Sequence, residues 1–179
     1  CVVVASGAAG PTLALVDLRG PAVARTPLAS FDPSRPQWRI AFDGAPAEAL
    51  GPGDGAGAIR TLLDRAAVVA GFEQLGGASR AFEITREYAL GRYAFGRPIA
   101  SFQALKHRLA DLYAAIELAR SNGYYAAWAL SSGSDELELA ACTFRASASE
   151  AFELASREMI QIHGGVGFTW EYDCHLFYR

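Results

Sequence analysis

Hydrophobic and polar positions change their period once along this chain. From residue 1 to about 50, apolar residues come in short runs or alternate with polar ones. CVVVAS is an apolar run closed by the turn-like GAAGP, and TLALVD and AVART follow, broken by RGP. In QWRIAFD, Trp38, Ile40 and Phe42 fall on one side and Gln37, Arg39 and Asp43 on the other. A period of two predicts strands. These few strands cannot close a barrel, and a small open sheet has little stability of its own. Further strands are therefore expected upstream, and a start on Cys1 without Met agrees with an incomplete chain.

GPGDGAG, residues 51–57, reads as a flexible joint. From about 58 the period becomes helical. A first helix, about 58 to 91, is apolar on more than one face and is expected to be central. FGRP, 95–98, separates it from a second helix, because Pro98 has no amide donor and restricts Arg97. The second helix, with Ser101 as its predicted N-cap, places Phe102, Leu105, Leu109, Leu112, Ile116, Ala119, Gly123, Ala126 and Leu130 at steps of three or four, a bundle seam. After SSGS at 131–134, a third helix aligns Leu137, Ala141, Phe144, Ala148, Phe152, Ala155, Met159 and Ile162. TWEYDCHLFYR opens a fourth, with Thr169 as predicted cap and Glu171 near the positive end of the dipole. The pattern predicts a mainly α chain: an up-and-down four-helix bundle over 58–179, preceded by a few antiparallel strands of an incomplete β-barrel domain over 1–50.

Composition narrows the class. Hydrophobic residues make up 51% of the 179, enough for a sizeable core. Sixteen Lys and Arg against nineteen Asp and Glu give a formal charge of -3, which argues against a nucleic-acid or acidic-membrane surface. No apolar run approaches the ~20 residues that span a bilayer, so no membrane insertion is expected. Cys1, Cys142 and Cys174 have no metal-ligand spacing and cannot all pair with one another, which points to a reduced, cytoplasmic protein without a metal site.

The densest chemistry lies in QIHGGVGFTWEYD, residues 161–173, with three glycines in four positions. Gly164 can end the third helix in the left-handed region. Gly165 and Gly167 then leave backbone amides uncovered beside the start of the fourth helix, an arrangement suited to an anion such as phosphate. On the spacing alone, a tight interhelical turn without a ligand is the favoured reading. The dinucleotide fingerprint GxGxxG is excluded, because this stretch follows a helix and not a strand.

A second segment, RYAFGRPIASFQALKHRLAD, residues 92–111, changes that balance. Arg92, Phe95, Gly96, Pro98, Ile99 and Gln103, followed some sixty residues later by QIHGGVGFTWEYD, resemble the acyl-CoA dehydrogenase family. The resemblance covers nearly the whole chain. IAFDGAPAEALG looks like the last strand of that family's middle β-domain and its exit into the carboxyl-terminal helical domain. It implies FAD, with Arg92 near the pyrophosphate of a neighbouring subunit's cofactor, where a guanidinium can make paired bonds. It implies Phe95 packed beside the adenine half, or simply in the core. Gln103 is implied as a hydrogen-bonding partner from the start of the second helix, and Gln161, His163, Gly164 and Gly165 at the adenosine and pyrophosphate end. For His163 a hydrogen-bonded core histidine is an equal expectation. His107 and His175 have no motif support and are read as surface or local hydrogen-bonding groups.

Enzymes of this family remove hydrogens from the α and β carbons of an acyl-CoA thioester and pass electrons to an electron-transfer flavoprotein. Of the two positions the family uses for its proton-abstracting carboxylate, one lies beyond Arg179. The other, aligned through Arg80 and Arg92, holds Ala66, with Ala67 where many relatives carry Arg. Asp64 is close but is read as structural, so no catalytic residue is assigned. Three roles stay open: an active dehydrogenase subunit of a homo- or hetero-oligomer (dimer or tetramer), a non-catalytic partner that completes another subunit's FAD site, or a related flavin oxidase. The Ala- and Arg-rich style is similar to that of actinobacterial heteromeric enzymes acting on steroid-side-chain and fatty acyl thioesters.

Overall fold

The structure, a computed structural model, describes residues 1–7, 10–32, 34–51 and 55–179. It divides into two compact units, Cys1–Leu63 and Asp64–Arg179.

The first unit holds five strands: β1 (Val2–Gly7), β2 (Gly10–Val16), β3 (Val23–Leu28), β4 (Gln37–Phe42) and β5 (Ala47–Leu50). They form a three-stranded antiparallel sheet, β1–β2–β5, and a separate β3–β4 pair. The alternation in β4 has its counterpart across the pair, where Val23 faces Phe42 and Arg25 faces Ile40. IAFDGAPAEALG therefore contains the end of one strand and the whole of another, β5, which returns to β2. Of the expected joint, Pro52–Asp54 lie outside the described residues. Gly55 donates its amide to the Pro11 carbonyl at 2.9 Å, and a Cβ there would meet the Thr12 Cα at 2.7 Å. Ala56 and Gly57 are already helical.

The second unit is built from α1 (Ala56–Gly91, whose first turns group with the strands), α2 (Gln103–Ser132), α3 (Leu137–His163) and the short α4 (Cys174–Tyr178). A two-residue hairpin, β6 (Tyr93–Ala94) with β7 (Arg97–Pro98), joins α1 to α2, where the sequence suggested only a separator. The seams are buried as their spacing predicts: Leu112, Ile116, Ala119, Gly123 and Ala126 on α2, and Ala141, Phe144, Ala148, Ala155 and Met159 on α3. Helix α1 buries one stripe, Val68, Gly71, Leu75, Ala78, Ala81, Thr85 and Ala89, against both partners. Apolar residues outside that stripe, Leu63, Val69 and Phe72, are exposed in this chain, so α1 packs against both partners without being enclosed.

Small seam residues bring the backbones close, and one large ring fills the space they leave. Phe144 is fully buried, and an added Cβ would meet its ring at 2.7 Å from Gly71 and at 2.8 Å from Gly123. Phe72 meets the same ring edge-on at 4.8 Å between centroids. Two predicted caps are not caps. Phe102 occupies the N-cap position of α2, and Ser101 instead donates its hydroxyl to the Pro98 carbonyl at 2.7 Å, closing a 3-10 turn at Ile99–Ser101. Thr169 closes a turn through the Val166 carbonyl at 2.9 Å, and α4 begins only at Cys174, after Asp173. Among the described residues no helix is long and apolar enough to cross a membrane.

Gly123→Ala is expected to lower stability by about 1–3 kcal/mol, because a methyl group must displace the Phe144 ring. Gly76→Ala, on the same bundle but with nothing within 4 Å of the added atom, should instead stabilise by roughly 0.5–1 kcal/mol. Urea unfolding of both variants measures the contrast, and equal shifts would contradict this packing.

Candidate functional site

The residues that the sequence singles out gather at one end of the bundle. Because α1 and α2 are joined by a tight hairpin, the end of α1 lies beside the start of α2. Arg108, in the second turn of α2, pairs with Glu158 near the end of α3 through two contacts of 2.7 and 2.8 Å. Tyr88 of α1 stacks on His163, the last residue of α3. The α1–α2 hairpin and the turn after α3 therefore share this end.

Arg92 follows α1 directly, and its amide donates to the Tyr88 carbonyl at 2.8 Å. Its carbonyl accepts from Ile99 at 2.8 Å, which closes the hairpin base. The side chain is exposed, and among the described residues no carboxylate lies within ion-pair distance. At the hairpin tip Phe95 and Gly96 both have positive φ, +53° and +77°, the pattern of a type I′ turn. Glycine adopts this freely, whereas a phenylalanine there is strained. Phe95 is 95% exposed. A strained aromatic held almost wholly in solvent is costly as packing and favours a binding role over the core alternative. Behind it, Phe102 meets Phe95 edge-on at 6.3 Å and carries the Arg97 guanidinium over its ring at 4.1 Å. Gln103, the first residue of α2, is exposed.

At the far side, Gln161 is exposed in the last turn of α3, and its carbonyl accepts the Gly164 amide. Gly164 has φ +64° and ψ -140°, a region open to glycine but outside the left-handed helical basin. The glycines then divide their work. Gly167 is buried, and a Cβ there would meet the Ile160 carbonyl at 2.7 Å and His163 Cβ at 2.9 Å, so it permits the 3-10 turn Gly164–Phe168 to fold against α3. Gly165 is exposed, with nothing within 4 Å of an added Cβ. Its absent side chain answers no contact within the chain and leaves open space above the turn. An exposed guanidinium, an open glycine turn and a projecting ring together suit a ligand that joins an anionic diphosphate to an aromatic base.

His163 is a core histidine, 3% exposed. Its Nδ1 lies 2.7 Å from the Met159 carbonyl, so that nitrogen carries the proton, and buried Nε2 has no partner. Burial pushes its pKa below the ordinary 6.5, with the Met159 bond opposing the shift in part. His175 differs from its sequence reading. It is buried against the edge of Trp170 at 4.3 Å, with both ring nitrogens unpartnered. His107 is exposed, as are Ala66 and Glu73, while Asp64 is half-buried. Among the described residues no cluster of metal-ligating side chains occurs. Tyr88 was missed by the motif reading. The available signal was its place one helical turn before Arg92.

The groups packed on the His163 ring are the aromatic rings of Tyr88 and Tyr172. Below pH 6.5 the unfolded chain takes up a proton that folded His163 refuses. Stability from this group is thus complete above that pH and is lost as pH falls toward the lowered folded value. Urea midpoints at pH about 7.5 and about 5.5 should diverge less in His163→Gln than in the parent. An identical divergence would place the sensitivity elsewhere.

Comparison with known proteins places this geometry. Residues 53–179 match the family described as acyl-CoA dehydrogenase, C-terminal domain. The chain is 42% identical over 153 residues to acyl-CoA dehydrogenase IpdE2 of Mycobacterium tuberculosis, covering 86% of this chain and 44% of the relative. It is 44% identical over 118 residues to IpdE2 of Mycolicibacterium smegmatis, covering 66% and 36%. It thus spans less than half the length of these relatives. Among solved structures, the Tcur3481-Tcur3483 steroid acyl-CoA dehydrogenase variant superposes with a TM-score of 0.91 at 33% identity over 99% of this chain and 47% of that one. The ChsE4-ChsE5 complex from Mycobacterium tuberculosis does so at 0.86 and 30%, over 99% and 48%. Two motifs at one end of a helical bundle, and a family match across that whole bundle, lead to one conclusion: this chain belongs to the acyl-CoA dehydrogenase family.

Proposed function

We propose that the chain is the carboxyl-terminal part of a subunit in an oligomeric, FAD-dependent acyl-CoA dehydrogenase, with residues 1–50 ending the middle β-domain, 51–57 joining it, and 58–179 forming the helical domain. The observation that carries this is the convergence of exposed Arg92 and Phe95 with the Gly164–Gly165 turn at one bundle end. FAD, when bound, supplies the acceptor for the β hydride of the acyl thioester. The chain's own residues supply binding. Arg92 would offer paired bonds to the pyrophosphate, Phe95 would pack beside the adenine, the turn at Gly164–Gly165 would leave room for the phosphates, and Gln103 and Gln161 would supply further hydrogen bonds.

All these residues point outward from the bundle that carries them, which supports a cofactor shared with a neighbouring subunit. The outer surface supports assembly as well: Tyr124 is 69% exposed, and Tyr125 stacks on exposed Trp128 at 5.4 Å. Contiguous exposed aromatics mark interaction surfaces. Ala66 cannot accept a proton, and Asp64, two residues earlier, projects about 160° away around the helix. This favours a second role for the chain, as a partner that completes the FAD site while the base lies beyond Arg179 or on another subunit. The likeness to a ChsE4-ChsE5 complex and to a two-component steroid enzyme supports a heteromeric assembly and a bulky acyl group. Electrons leave to an electron-transfer flavoprotein.

In the full-length assembly, Arg92→Ala should weaken FAD binding by roughly one to two powers of ten, the worth of a charge-assisted bond, while Lys106→Ala leaves it unchanged. Gly165→Ala, free of steric conflict within the chain, should keep the parent melting temperature and still lose flavin. Flavin absorbance after gel filtration reads these variants, and equal flavin content throughout would overturn the site.

Asp64→Asn and Glu73→Gln should each retain acyl-CoA-dependent flavin reduction. A fall of about 10³-fold at either, with binding intact, would place the base inside this chain.

A further inference from the structure

The cofactor reading leaves Tyr88 without a task, yet its side chain makes an unusual pair of contacts. Its ring stacks on His163 at 4.1 Å between centroids and 23° between planes. Its hydroxyl donates to the carbonyl of that same residue at 3.3 Å. One side chain of α1 thus holds both the ring and the backbone of the last residue of α3, 75 positions away. The contact is braced. His163 Nδ1 donates to Met159 at 2.7 Å, Tyr172 meets both rings edge-on at 5.4 and 5.8 Å, and Gly167 admits the turn against His163 Cβ. The Tyr88 carbonyl, in turn, holds the Arg92 amide at 2.8 Å. Each half of the candidate site is therefore one bond from this pair: Arg92 from Tyr88, and Gly164 from His163.

A ring stack alone permits sliding of one helix end past the other. The hydroxyl bond to the His163 carbonyl, where α3 gives way to the 3-10 turn, removes that freedom. Two half-sites that grip one extended ligand must keep a fixed separation, or one of them loses its bonds. We propose that Tyr88 is a positioning residue: its paired contact with His163 sets the Arg92 hairpin and the Gly164–Gly165 turn in one register for the cofactor. The proposal rests on the FAD reading above.

The test is a double-mutant cycle on FAD affinity, by titrating full-length protein freed of flavin. Tyr88→Phe keeps the stack and removes the hydroxyl. It should weaken FAD binding about three- to tenfold in the parent background, the worth of one neutral hydrogen bond. In the Arg92→Ala background, where register no longer matters to the missing guanidinium, the same change should cost less than about twofold. A purely structural tyrosine would give the same factor in both backgrounds, and that result, or no effect in either, overturns the proposal. His163→Leu removes the stack and carries the same expectation should Tyr88→Phe fold poorly. Parent protein that takes up no FAD, or an Arg92→Ala variant with parental affinity, overturns the FAD reading and this proposal with it.

Discussion

The bundle depends on how Phe144 is held. Its ring lies between two backbone notches, Gly71 of α1 and Gly123 of α2, each too close to it for even a methyl group. Around it the seams are mostly alanine, Ala119 and Ala126 on α2 and Ala141, Ala148 and Ala155 on α3, all fully buried. Small residues let helices approach, and a single ring then fixes their spacing more tightly than a layer of flexible aliphatics would. Truncation of such a residue costs about 3–5 kcal/mol, a large share of the ~5–15 kcal/mol that typically holds a domain together. The spacing set at mid-bundle carries to the end, where Arg108 meets Glu158 and Tyr88 meets His163. The candidate site is thus a consequence of core geometry, and needs no mobile loop to assemble it.

At that end the structure departs from economical packing in a consistent direction. Phe95 is strained and exposed, Arg92 is exposed, and Gly165 leaves open space where a side chain would fit. Each feature costs the isolated chain something or gains it nothing. Together they form a surface that a flat aromatic anion complements. Such local departures, inside a bundle that otherwise obeys its hydrophobic pattern, are where function is expected.

Much of this was legible in the sequence. Steps of three and four gave the α2 and α3 seams, because a helix repeats its buried face with that period, and alternation gave β4. Two motifs gave the candidate site residues. What the sequence withheld was tertiary. Gly123 falls in the α2 seam by its spacing, but that it and Gly71 both make room for Phe144 is seen only in the structure. Ser101 and Thr169 have good capping side chains, but the chain path puts Phe102 and Asp173 at the cap positions. The 93–98 hairpin needs a phenylalanine at positive φ, which no propensity favours. His175 has a polar ring that the fold nevertheless buries. Tyr88 carries no motif, since its importance comes from a partner 75 residues away.

The central claim is that the hairpin and the glycine turn grip one cofactor. The most direct measurement is a crystal structure of the full-length assembly with FAD. The account predicts pyrophosphate oxygens within about 3 Å of the Arg92 guanidinium and of amides at the Gly164–Gly165 turn, with the adenine against Phe95. FAD bound elsewhere, with Arg92 and Gly165 both left in solvent, would contradict it.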